Sequence, residues 1–578
     1  MGRTGLGHLT GRFHDNCGAI RSAVTIAPGE SAEIRFFLGQ CDTVEDARRV
    51  LERQRRPEAV VSGLAAVKQL WDGILDSLVV TTPDRTFDAM ANGRALYQAL
   101  SCRIWGRTAL YQSSGAFGFR DQLQDVAALF LARPDLARAH IVEASRHQFA
   151  EGDAMHWWQP YSGRGVRTRF RDDRLWLPYI VAGYVASTGD ASLLDEATPF
   201  VSGPPVPGDR EDLYLAPQVT AESASIYEHC LRAFEVSRDT GEHGLPLIGG
   251  GDWNDGMNRV GHEGRGESVW LAWFLISTLR AFAPICERRG EMERAADYRA
   301  WADRLVAAVE AQAWDGAWYR RAYFDDGTPL GTREAQECRI DAIAQAWAVI
   351  SGAGDPVRAQ TALDSVEEKL VRREDGLIAL LAPPFDHMEH DPGYIKGYVP
   401  GVRENGGQYT HAALWVVMAY ALMGDGDEAV GMLDLINPLS HTRTRADADV
   451  YRVEPYSIVA DVYAVKPHIG RGGWSGYTGS AALFHTTATQ TILGIRTAGD
   501  GSGGRVLTVD PTIPKSWPGF DATLRLGSTQ WHIRVENPRR ANSGVERVSL
   551  DGRPIDDHRI PLTEDGGRHE VTVTMLGG

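Results

Sequence analysis

The sequence of 578 residues is poor in cysteine and has no excess of basic residues. Its six cysteines stand singly and form no C-x-x-C pair, so a disulfide-stapled scaffold is excluded and reduced thiols are expected. The chain has 60 basic and 76 acidic residues, which give a formal net charge of −16. A chain this acidic gains nothing from a phosphate backbone, so we expect no nucleic-acid partner.

Long hydrophobic runs are also absent. The best apolar run, residues 414–423, is about half of the roughly 20 residues that a membrane-spanning helix needs. The first 18 residues contain no apolar segment of the kind that signal peptides have. We therefore expect a cytoplasmic protein that makes no membrane contact of its own.

Hydrophobic periodicity divides the chain into regions. Residues 22–38 are typical of two strands around a turn, so residues 1–45 are predicted to be the end of a sheet domain. Apolar residues then recur at threes and fours, which predicts a helical linker over residues 46–85 and a large helical domain over 86–495. The period of two over residues 496–578 predicts a small β domain. Long, chemically rich loops between the helices suggest a helical toroid whose active site is built from loops at one end.

The segment at residues 249–258, GGGDWNDGMN, carries the sharpest chemical signal. A flat Trp253 ring suits the apolar face of a sugar. A carboxyl group held against such a ring is desolvated, which raises its pKa and suits a general acid, so Asp252 and Asp255 are candidates. A calcium loop is excluded because the glycine and the second aspartate fall at the wrong positions. A purely structural turn remains open.

Four other segments carry groups that bind hydroxyls or anions. Residues 165–176 and 117–125 combine arginine with aspartate, which suits either hydroxyl binding or a solvated face. Residues 403–411 and 472–480 combine glycine with histidine, threonine or serine, which suits phosphate. Residues 387–391 contain two histidines and two acids, but no other segment offers matching ligands, so we predict no metal site.

Five motifs in this order resemble glycoside hydrolase family 94, the inverting β-glucan phosphorylases. They are GFRDQLQD, DDRLWL, GDWNDGMN, RENGGQYTHAA and GGWSGYTGSAA. A finer resemblance, to the C-terminal phosphorylase-like region of cyclic β-1,2-glucan synthases and to 1,2-β-oligoglucan phosphorylases, rests on three more: HWWQPYSGRGVRTR, GRGESVWLAW and DPGYIKGYVPGVRENGG.

The resemblance implies a multidomain α+β fold. In it, an (α/α)6 barrel is flanked by a truncated remnant of an N-terminal β-sandwich and by a small C-terminal β domain. The resemblance also leaves open a homodimer, and membership of, or association with, a membrane-bound synthase.

The same resemblance implies roles for particular residues. Asp255 is the expected general acid. The residues expected to bind the β-glucan oligosaccharide are Arg120, Asp121, Arg167, Asp173, Trp253 and Glu404. Those expected to bind phosphate are Arg164, His411, Thr478 and Gly479, with Arg167 as the alternative arginine. Inorganic phosphate is the co-substrate, and no other cofactor is expected.

The implied reaction is inverting phosphorolysis, which yields α-glucose 1-phosphate and a glucan shortened by one unit. Phosphate is already an anion and needs no general base, so one carboxylic acid is enough, whereas an inverting hydrolase needs a second carboxylate. Three alternatives remain. They are a non-catalytic or chain-length-controlling glucan module of a larger synthase, a cellobiose- or cellodextrin-type phosphorylase, and an inverting hydrolase on the same fold.

Overall fold

The computed structural model describes residues 18–107 and 115–577. These residues divide into two compact units, the first ending at Trp71 and the second beginning at Asp72. The α-helices are α1 (Val44–Gln54), α2 (Ala59–Leu75), α3 (Arg85–Ala89), α4 (Ala95–Gln98), α5 (Phe119–Val126), α6 (Pro134–Ser145), α7 (Asp173–Thr188), α8 (Ile226–Glu235), α9 (Val269–Arg288), α10 (Met292–Gln312), α11 (Ala342–Ile350), α12 (Pro356–Leu370), α13 (Thr410–Leu422), α14 (Gly426–Ile436), α15 (Arg445–Tyr451) and α16 (Ser480–Thr486).

Short strands separate many of these helices, and longer strands follow them. The strands are β1 (Leu78–Thr81), β2 (Phe117–Gly118), β3 (Met155–Trp158), β4 (Gly165–Thr168), β5 (Ala197–Ser202), β6 (Asp212–Leu215), β7 (Gln218–Ser225), β8 (Glu267–Ser268), β9 (Ala322–Tyr323), β10 (Pro329–Leu330), β11 (Ile340–Asp341), β12 (Val371–Arg372), β13 (Leu377–Ile378), β14 (Leu381–Ala382), β15 (Gln408–Tyr409), β16 (Asp461–Val462), β17 (Ile495–Gly499), β18 (Arg505–Val509), β19 (Gly519–Leu526), β20 (Thr529–Glu536), β21 (Val545–Leu550), β22 (Arg553–Ile555), β23 (Ile560–Leu562) and β24 (Arg568–Met575).

The helices of the second unit pack as a closed circuit. Helix α5 contacts α7, α7 contacts α9, α9 contacts α11, α11 contacts α13, α13 contacts α16, and α16 contacts α5 again. A second set lies against this circuit: α6 and α8 on α7, α10 on α9, α12 on α11, α14 on α13 and α4 on α16. Most helices of the circuit begin directly after a two-residue strand or a loop. Their first turns and the loops before them carry the residues that form the site described below.

The core of this circuit is unusually aromatic. Trp270 is fully buried and lies against Phe274, Trp347 and Trp415, with ring centroids 5.4, 6.0 and 6.1 Å apart. Helices α9, α11 and α13, which carry these rings, lie within residues 86–495, where apolar spacing by threes and fours predicts a large helical domain. Large flat side chains fill the space where three helices face one another and fix how closely they approach.

The C-terminal residues form two sheets, in agreement with the predicted period of two. One sheet has the order β1-β19-β20-β24-β21-β22 and the other has the order β17-β18-β23. Along β20 the inward residues Trp531, Ile533 and Val535 are buried while their neighbours are less so. Strand β1 pairs antiparallel with β19, so Leu78–Thr81, which fall within the predicted helical linker, belong to this sheet.

The two strands predicted within residues 22–38 are wrong. Among the described residues 18–43 the structure has no strand, although the tight turn is present, with Glu30 N–H donating to the Ala27 carbonyl at 3.1 Å. The physical reason is the absence of partners within this segment, because an alternating pattern forms a strand only where other strands complete its ladder. Its apolar side chains, such as Ile26 and Leu38, are exposed.

Among the helices of the described residues, one passes a length and hydropathy test for a membrane span. Helix α9 has 20 residues, and 78% of its most apolar window is buried inside the protein. A buried core helix passes this test because apolar residues cover all of its faces.

Replacing Trp270 by alanine tests the aromatic core. Trp270→Ala should lower the free energy of unfolding by about 3–5 kcal/mol, because it removes a fully buried indole and leaves a cavity between three helices. Urea denaturation followed by tryptophan fluorescence measures the change. Val357→Ala on α12, where the valine is 75% exposed, is the control and should shift the transition little. Equal shifts for the two variants would contradict this description of the core.

Candidate active site

The candidate active site is a cavity of about 290 Å³. It lies at the end of the circuit where several of the circuit's helices begin. Arg120 is the second residue of α5, His411 is the second residue of α13, and Gly479 directly precedes α16. The first turn of a helix has unpaired N–H groups and a partial positive charge, so this end of the circuit favours anionic ligands. The predicted site residues that line the cavity are Arg120, Asp121, Trp253, Asp255, Glu404, His411, Thr478 and Gly479.

A larger cavity, of about 570 Å³, lies among the same helices and meets the first at Gln124, His411 and Gly479. Aromatic and aliphatic side chains form most of its lining, among them Trp176 and Trp347. None of the described residues that line it is a carboxylate. Of these two cavities, only the smaller one is lined by carboxylates.

The DWND loop follows a path that only glycine permits. Gly249 and Gly251 have φ angles of +60° and +145°. A Cβ atom on Gly251 would lie 2.8 Å from the ring of Phe170, and one on Gly249 would lie 2.4 Å from the Arg169 carbonyl oxygen. The glycine run therefore lets the loop pass against the segment before α7.

Asp252 anchors this loop through buried contacts and does not line the cavity. Its two carboxylate oxygens each accept a 2.7 Å hydrogen bond from Arg321, and one accepts a 2.6 Å bond from the Ser268 hydroxyl. Both side chains of the ion pair are completely buried. Burial opposes ionisation, but Arg321 outweighs it and lowers the pKa of Asp252. Of the two candidate acids, Asp252 is structural.

Asp255 lies on the cavity wall between two cationic groups. Its Oδ1 accepts a short hydrogen bond from Arg120 Nη2, and its Oδ2 lies 3.6 Å from His156 Nε2. Burial raises the pKa of this carboxyl, but Arg120 and His156 together hold it well below its usual range. The expected rise in the pKa of Asp255 against the Trp253 ring is therefore wrong, because two nearby positive charges outweigh desolvation.

Arg120 connects three segments around the acid. Its Nη1 donates to both oxygens of Asp172 at 3.0 Å and to the Asp252 carbonyl at 2.9 Å, while Nη2 serves Asp255. The Asp172 carboxylate also accepts a bond from the Trp176 indole at 3.1 Å. Burial raises the pKa of Asp172 to about 7, against the lowering effect of Arg120.

The opposite part of the cavity wall gathers anion-binding groups. A Cβ atom placed on Gly479 would lie 3.3 Å from Asp125 Oδ1, 3.4 Å from His411 Nδ1 and 3.6 Å from Arg103 Nη2, so these three side chains converge on the glycine. Thr478 adds a hydroxyl next to it. Arg103 is held by Asp125 at 2.8 Å and lies over the Tyr477 ring at 4.3 Å. Burial lowers the pKa of His411 to about 3, so its imidazole is neutral.

Aromatic rings and one acid complete the wall. Trp253 contacts the rings of Tyr409 and His411, with centroids 5.5 and 5.6 Å apart. Glu404 forms a 3.3 Å ion pair with Arg403, and burial raises the pKa of its carboxyl. The other aromatic residues of the wall are Tyr394, Tyr398, Trp474 and Tyr477. Flat rings beside hydrogen-bonding groups form a surface suited to a sugar.

Three predicted site residues do not line this cavity. Arg164 is exposed in the loop before β4. Arg167 makes a bidentate ion pair with Asp153, both bonds 2.7 Å long, and lies over the Phe149 ring at 3.7 Å. Asp173 accepts a 2.9 Å bond from His156 Nδ1 and so acts one step away from Asp255. Neither Arg164 nor Arg167 lines the cavity, whereas Arg103 does, and a phosphate-binding arginine before β4 or within it stays a prediction.

Sequence reasoning missed Arg103 and gave His156 no role. Arg103 falls in a segment whose apolar spacing predicts a core helix, and the available signal was a charged residue in that apolar stripe. His156 stands directly before the Trp157-Trp158 pair in a motif that was noted only for its resemblance. Within residues 18–107 and 115–577, no group of three or more His, Cys, Asp or Glu is arranged to hold a metal ion.

Comparison with known proteins gives two family matches. Residues 70–494 match the description "Glycosyl hydrolase 94 superfamily, catalytic domain". Residues 1–57 match "Glycosyl hydrolase 94, supersandwich domain". The catalytic-domain match contains every residue that lines the smaller cavity.

The chain is also similar to named proteins. It is 47% identical over 93% of its length to the cyclic beta-(1,2)-glucan synthase NdvB of Rhizobium meliloti (strain 1021), of which it spans 19%. It is 29% identical over 97% of its length to the N,N'-diacetylchitobiose phosphorylase of Vibrio proteolyticus, of which it spans 70%. The GH78 family rhamnosidase of Bacillus sp. GL1 resembles it in fold alone. That structural match has a TM-score of 0.52 and 13% identity, and it covers 87% of this chain and 44% of that one.

Removing the buried arginine tests the anchor of the DWND loop. Arg321→Met should lower the free energy of unfolding by about 3 kcal/mol or more, because it leaves the Asp252 and Asp341 carboxylates buried without their cation. Arg445→Met is the control, since Arg445 is 89% exposed and pairs with an exposed Asp449. Chemical denaturation of the two variants measures the difference. An Arg321→Met protein as stable as the control would show that the ion pair does not hold the loop.

The buried His411 predicts a pH dependence of stability. Its pKa of about 3 in the folded state lies below the ordinary value of 6.5, so below pH 6.5 the unfolded chain binds more protons than the folded one. Stability is therefore fully present above pH 6.5 and falls with decreasing pH. Between pH 7 and 4.5 the wild type should lose about 2 kcal/mol more than His411→Gln. Urea titrations at both pH values measure this, and equal losses would mean that the fold does not lower the pKa of His411.

Proposed function

Since this chain belongs to the glycosyl hydrolase 94 superfamily, we propose that it catalyses inverting phosphorolysis of β-linked gluco-oligosaccharides. The products are α-glucose 1-phosphate and a shortened glucan. The observation that carries the proposal is a single cavity that joins a carboxylic acid, Asp255, to the anion-binding cluster of Arg103, His411 and Gly479. That combination suits an acid-assisted attack by an inorganic anion.

We propose that the closed circuit of helices is an (α/α)6 barrel. Six helices contact their neighbours around the circuit, and helices from the intervening chain segments lie outside them. This architecture places loop residues at one end of the barrel, where they can be exchanged without disturbing the core.

In the proposed reaction, phosphate lies against Arg103, His411, Thr478 and the backbone of Gly479. A neutral imidazole, a hydroxyl and a backbone N–H can all donate hydrogen bonds to phosphate oxygens, and the arginine supplies charge. Phosphate attacks the anomeric carbon while Asp255 protonates the departing glycosidic oxygen. A bound anion in this cavity also raises the pKa of the Asp255 carboxyl, which favours its acid form.

The sugar-binding roles are proposals of the same kind. Trp253 offers a face for the glucosyl unit, and Arg120, Asp121 and Glu404 offer polar groups for hydroxyls. Asp173 contributes through His156, and neither Arg164 nor Arg167 is assigned a sugar or phosphate contact. No cofactor other than phosphate as co-substrate is proposed.

The linkage and setting are inferred from the relatives. The similarity to a cyclic beta-(1,2)-glucan synthase supports a β-1,2-glucan as substrate, with a cellobiose- or cellodextrin-type substrate as the alternative. The same similarity supports a role as the chain-length-controlling region of such a synthase. A cytoplasmic location, a homodimer and an association with a membrane-bound synthase stay predictions of the sequence.

The phosphate requirement separates the candidate functions. The protein is incubated with short β-1,2-gluco-oligosaccharides, with and without inorganic phosphate. We expect glucose 1-phosphate only when phosphate is present, measured with a coupled phosphoglucomutase assay. Free glucose formed without phosphate would indicate a hydrolase, and the absence of any product while the sugar still binds would indicate a non-catalytic module.

Removing the acid tests its assignment. Asp255→Asn should lower kcat for oligosaccharide phosphorolysis by about 10³-fold, because the amide cannot protonate the leaving oxygen. Folding should be retained, since Arg120 keeps its two bonds to Asp172. Asp449→Asn at an exposed site is the matched control. Wild-type turnover in Asp255→Asn would remove Asp255 from the mechanism.

A further inference from the structure

His156 joins the acid to a second carboxylate. The residue lies on β3, and its Nδ1 is 2.9 Å from Asp173 Oδ2 while its Nε2 is 3.6 Å from Asp255 Oδ2. The Phe170 ring meets the imidazole edge-on, with centroids 4.8 Å apart, and the side chain is 17% exposed. Both ring nitrogens therefore face carboxylates, an arrangement that favours imidazolium.

The charges around this pair come from every segment packed against it. Asp173 faces His156 from the start of α7, and Asp255 faces it from the DWND loop. Arg120 on α5 faces Asp255 from the other side and also binds Asp172. Tyr394 and Glu404, from the loops before α13, add weaker electrostatic effects on the same cavity.

This arrangement poses a problem for a general acid. A carboxylate held between a guanidinium and an imidazolium is ionised and has no proton to give. The nearest group that carries a transferable proton toward Asp255 is His156, because Arg120 remains protonated under all ordinary conditions.

We propose that His156 is a positioning residue that stores the proton delivered to the glycosidic oxygen and passes it through Asp255. The proposal rests on the phosphorolysis proposed above and assigns the acid function to a His156–Asp255 pair. Asp173 fixes the ring by accepting from Nδ1, so that the Nε2–H points toward Asp255.

The proton balance of the cycle closes. The Nε2–H bond of His156 breaks, and the proton passes by way of the Asp255 carboxylate to the glycosidic oxygen as the C1–O bond breaks and the bond from HPO₄²⁻ to C1 forms. The products are a neutral shortened glucan, glucose 1-phosphate that still carries one phosphate proton, and neutral His156. Loss of that proton from the monoester, whose second pKa is about 6, restores the imidazolium before the next turnover.

The electrostatics agree with the geometry. Burial alone would lower the pKa of His156, but Asp173 and Asp255 raise it to about 10. The imidazole therefore stays protonated at neutral pH, so the site holds the proton that the proposed reaction uses.

A leaving-group comparison tests the proposal. His156→Asn should lower kcat for β-1,2-gluco-oligosaccharides by about 10²-fold, because their sugar leaving group needs a proton. The same variant should act within a few-fold of wild type on 2,4-dinitrophenyl β-glucoside, whose leaving group needs none. The oligosaccharide profile of wild type should also lose activity at higher pH than that of His156→Asn. Equal losses on both donors would mean a structural role and overturn the proposal.

His569→Asn is the matched control. His569 also lies between two carboxylates, Asp551 at 2.9 Å and Asp565 at 3.2 Å, but in the C-terminal sheet. The His569→Asn variant should leave kcat for both donors and the pH profile unchanged. If wild type itself makes no glucose 1-phosphate, the proposed function fails, and the proton's location is then judged by the following measurement.

Nitrogen-15 NMR of labelled histidine observes the proton without any activity. The His156 signals, assigned by their loss in His156→Asn, should show imidazolium at pH 8 in wild type. Both Asp255→Asn and Asp173→Asn should lower the pH at which the ring deprotonates, because each removes one negative charge. A His156 that titrates near 6.5 in wild type, or that is unaffected by Asp255→Asn, would overturn the proposal whether or not the enzyme is active.

Discussion

The guanidinium of Arg120 holds the active site together. It binds the Asp172 carboxylate, the Asp252 carbonyl and the Asp255 carboxylate, and so connects the first turn of α5, the segment before α7 and the DWND loop. The planar guanidinium has five N–H donors in fixed directions, so it can bond acceptors on three different segments at once. The position of the acid is therefore set by the same contacts that join the helices of the circuit, and loop geometry and helix packing are not independent.

The same interaction fixes the electrostatic state of the cavity. Arg120 and His156 surround Asp255 with positive charge, whereas Arg103 and the N-terminal ends of α13 and α16 supply it where phosphate is proposed to bind. Asp255 between these cations is ionised, so in the proposed reaction the proton for the substrate oxygen is held by His156. A bound phosphate anion opposes these cations and favours transfer of that proton to Asp255. A reaction that depends on phosphate in this way gains protection against hydrolysis of the same substrate.

Much of this organisation was predictable from sequence, and the exceptions share a cause. Helices α9, α11 and α13 and strands β20 and β24 follow from periodicity, because each buries one face in a local pattern. The motif residues Asp255, His411 and Thr478 were placed in one cavity as expected. Sequence did not single out Arg103 or His156, and it did not show that Arg167 lies outside the cavity, because the carboxylate partner of each is distant in sequence: Asp125, Asp255 and Asp153. The prediction of two strands within residues 22–38 was wrong for a related reason, since a strand depends on partners outside its own sequence.

The two aspartates of the DWND loop show how one short motif divides its work. Asp252 and Arg321 are completely buried, so the cost of removing both charges from water is met during folding and their geometry does not respond to ligands. Asp255 is three residues further along, with 31% of its side chain exposed to the cavity, and its partners Arg120 and His156 lie at the same wall. Its protonation therefore depends on what occupies the cavity. In the proposed reaction, the rigid buried pair lets the loop keep its position while the charge on Asp255 changes.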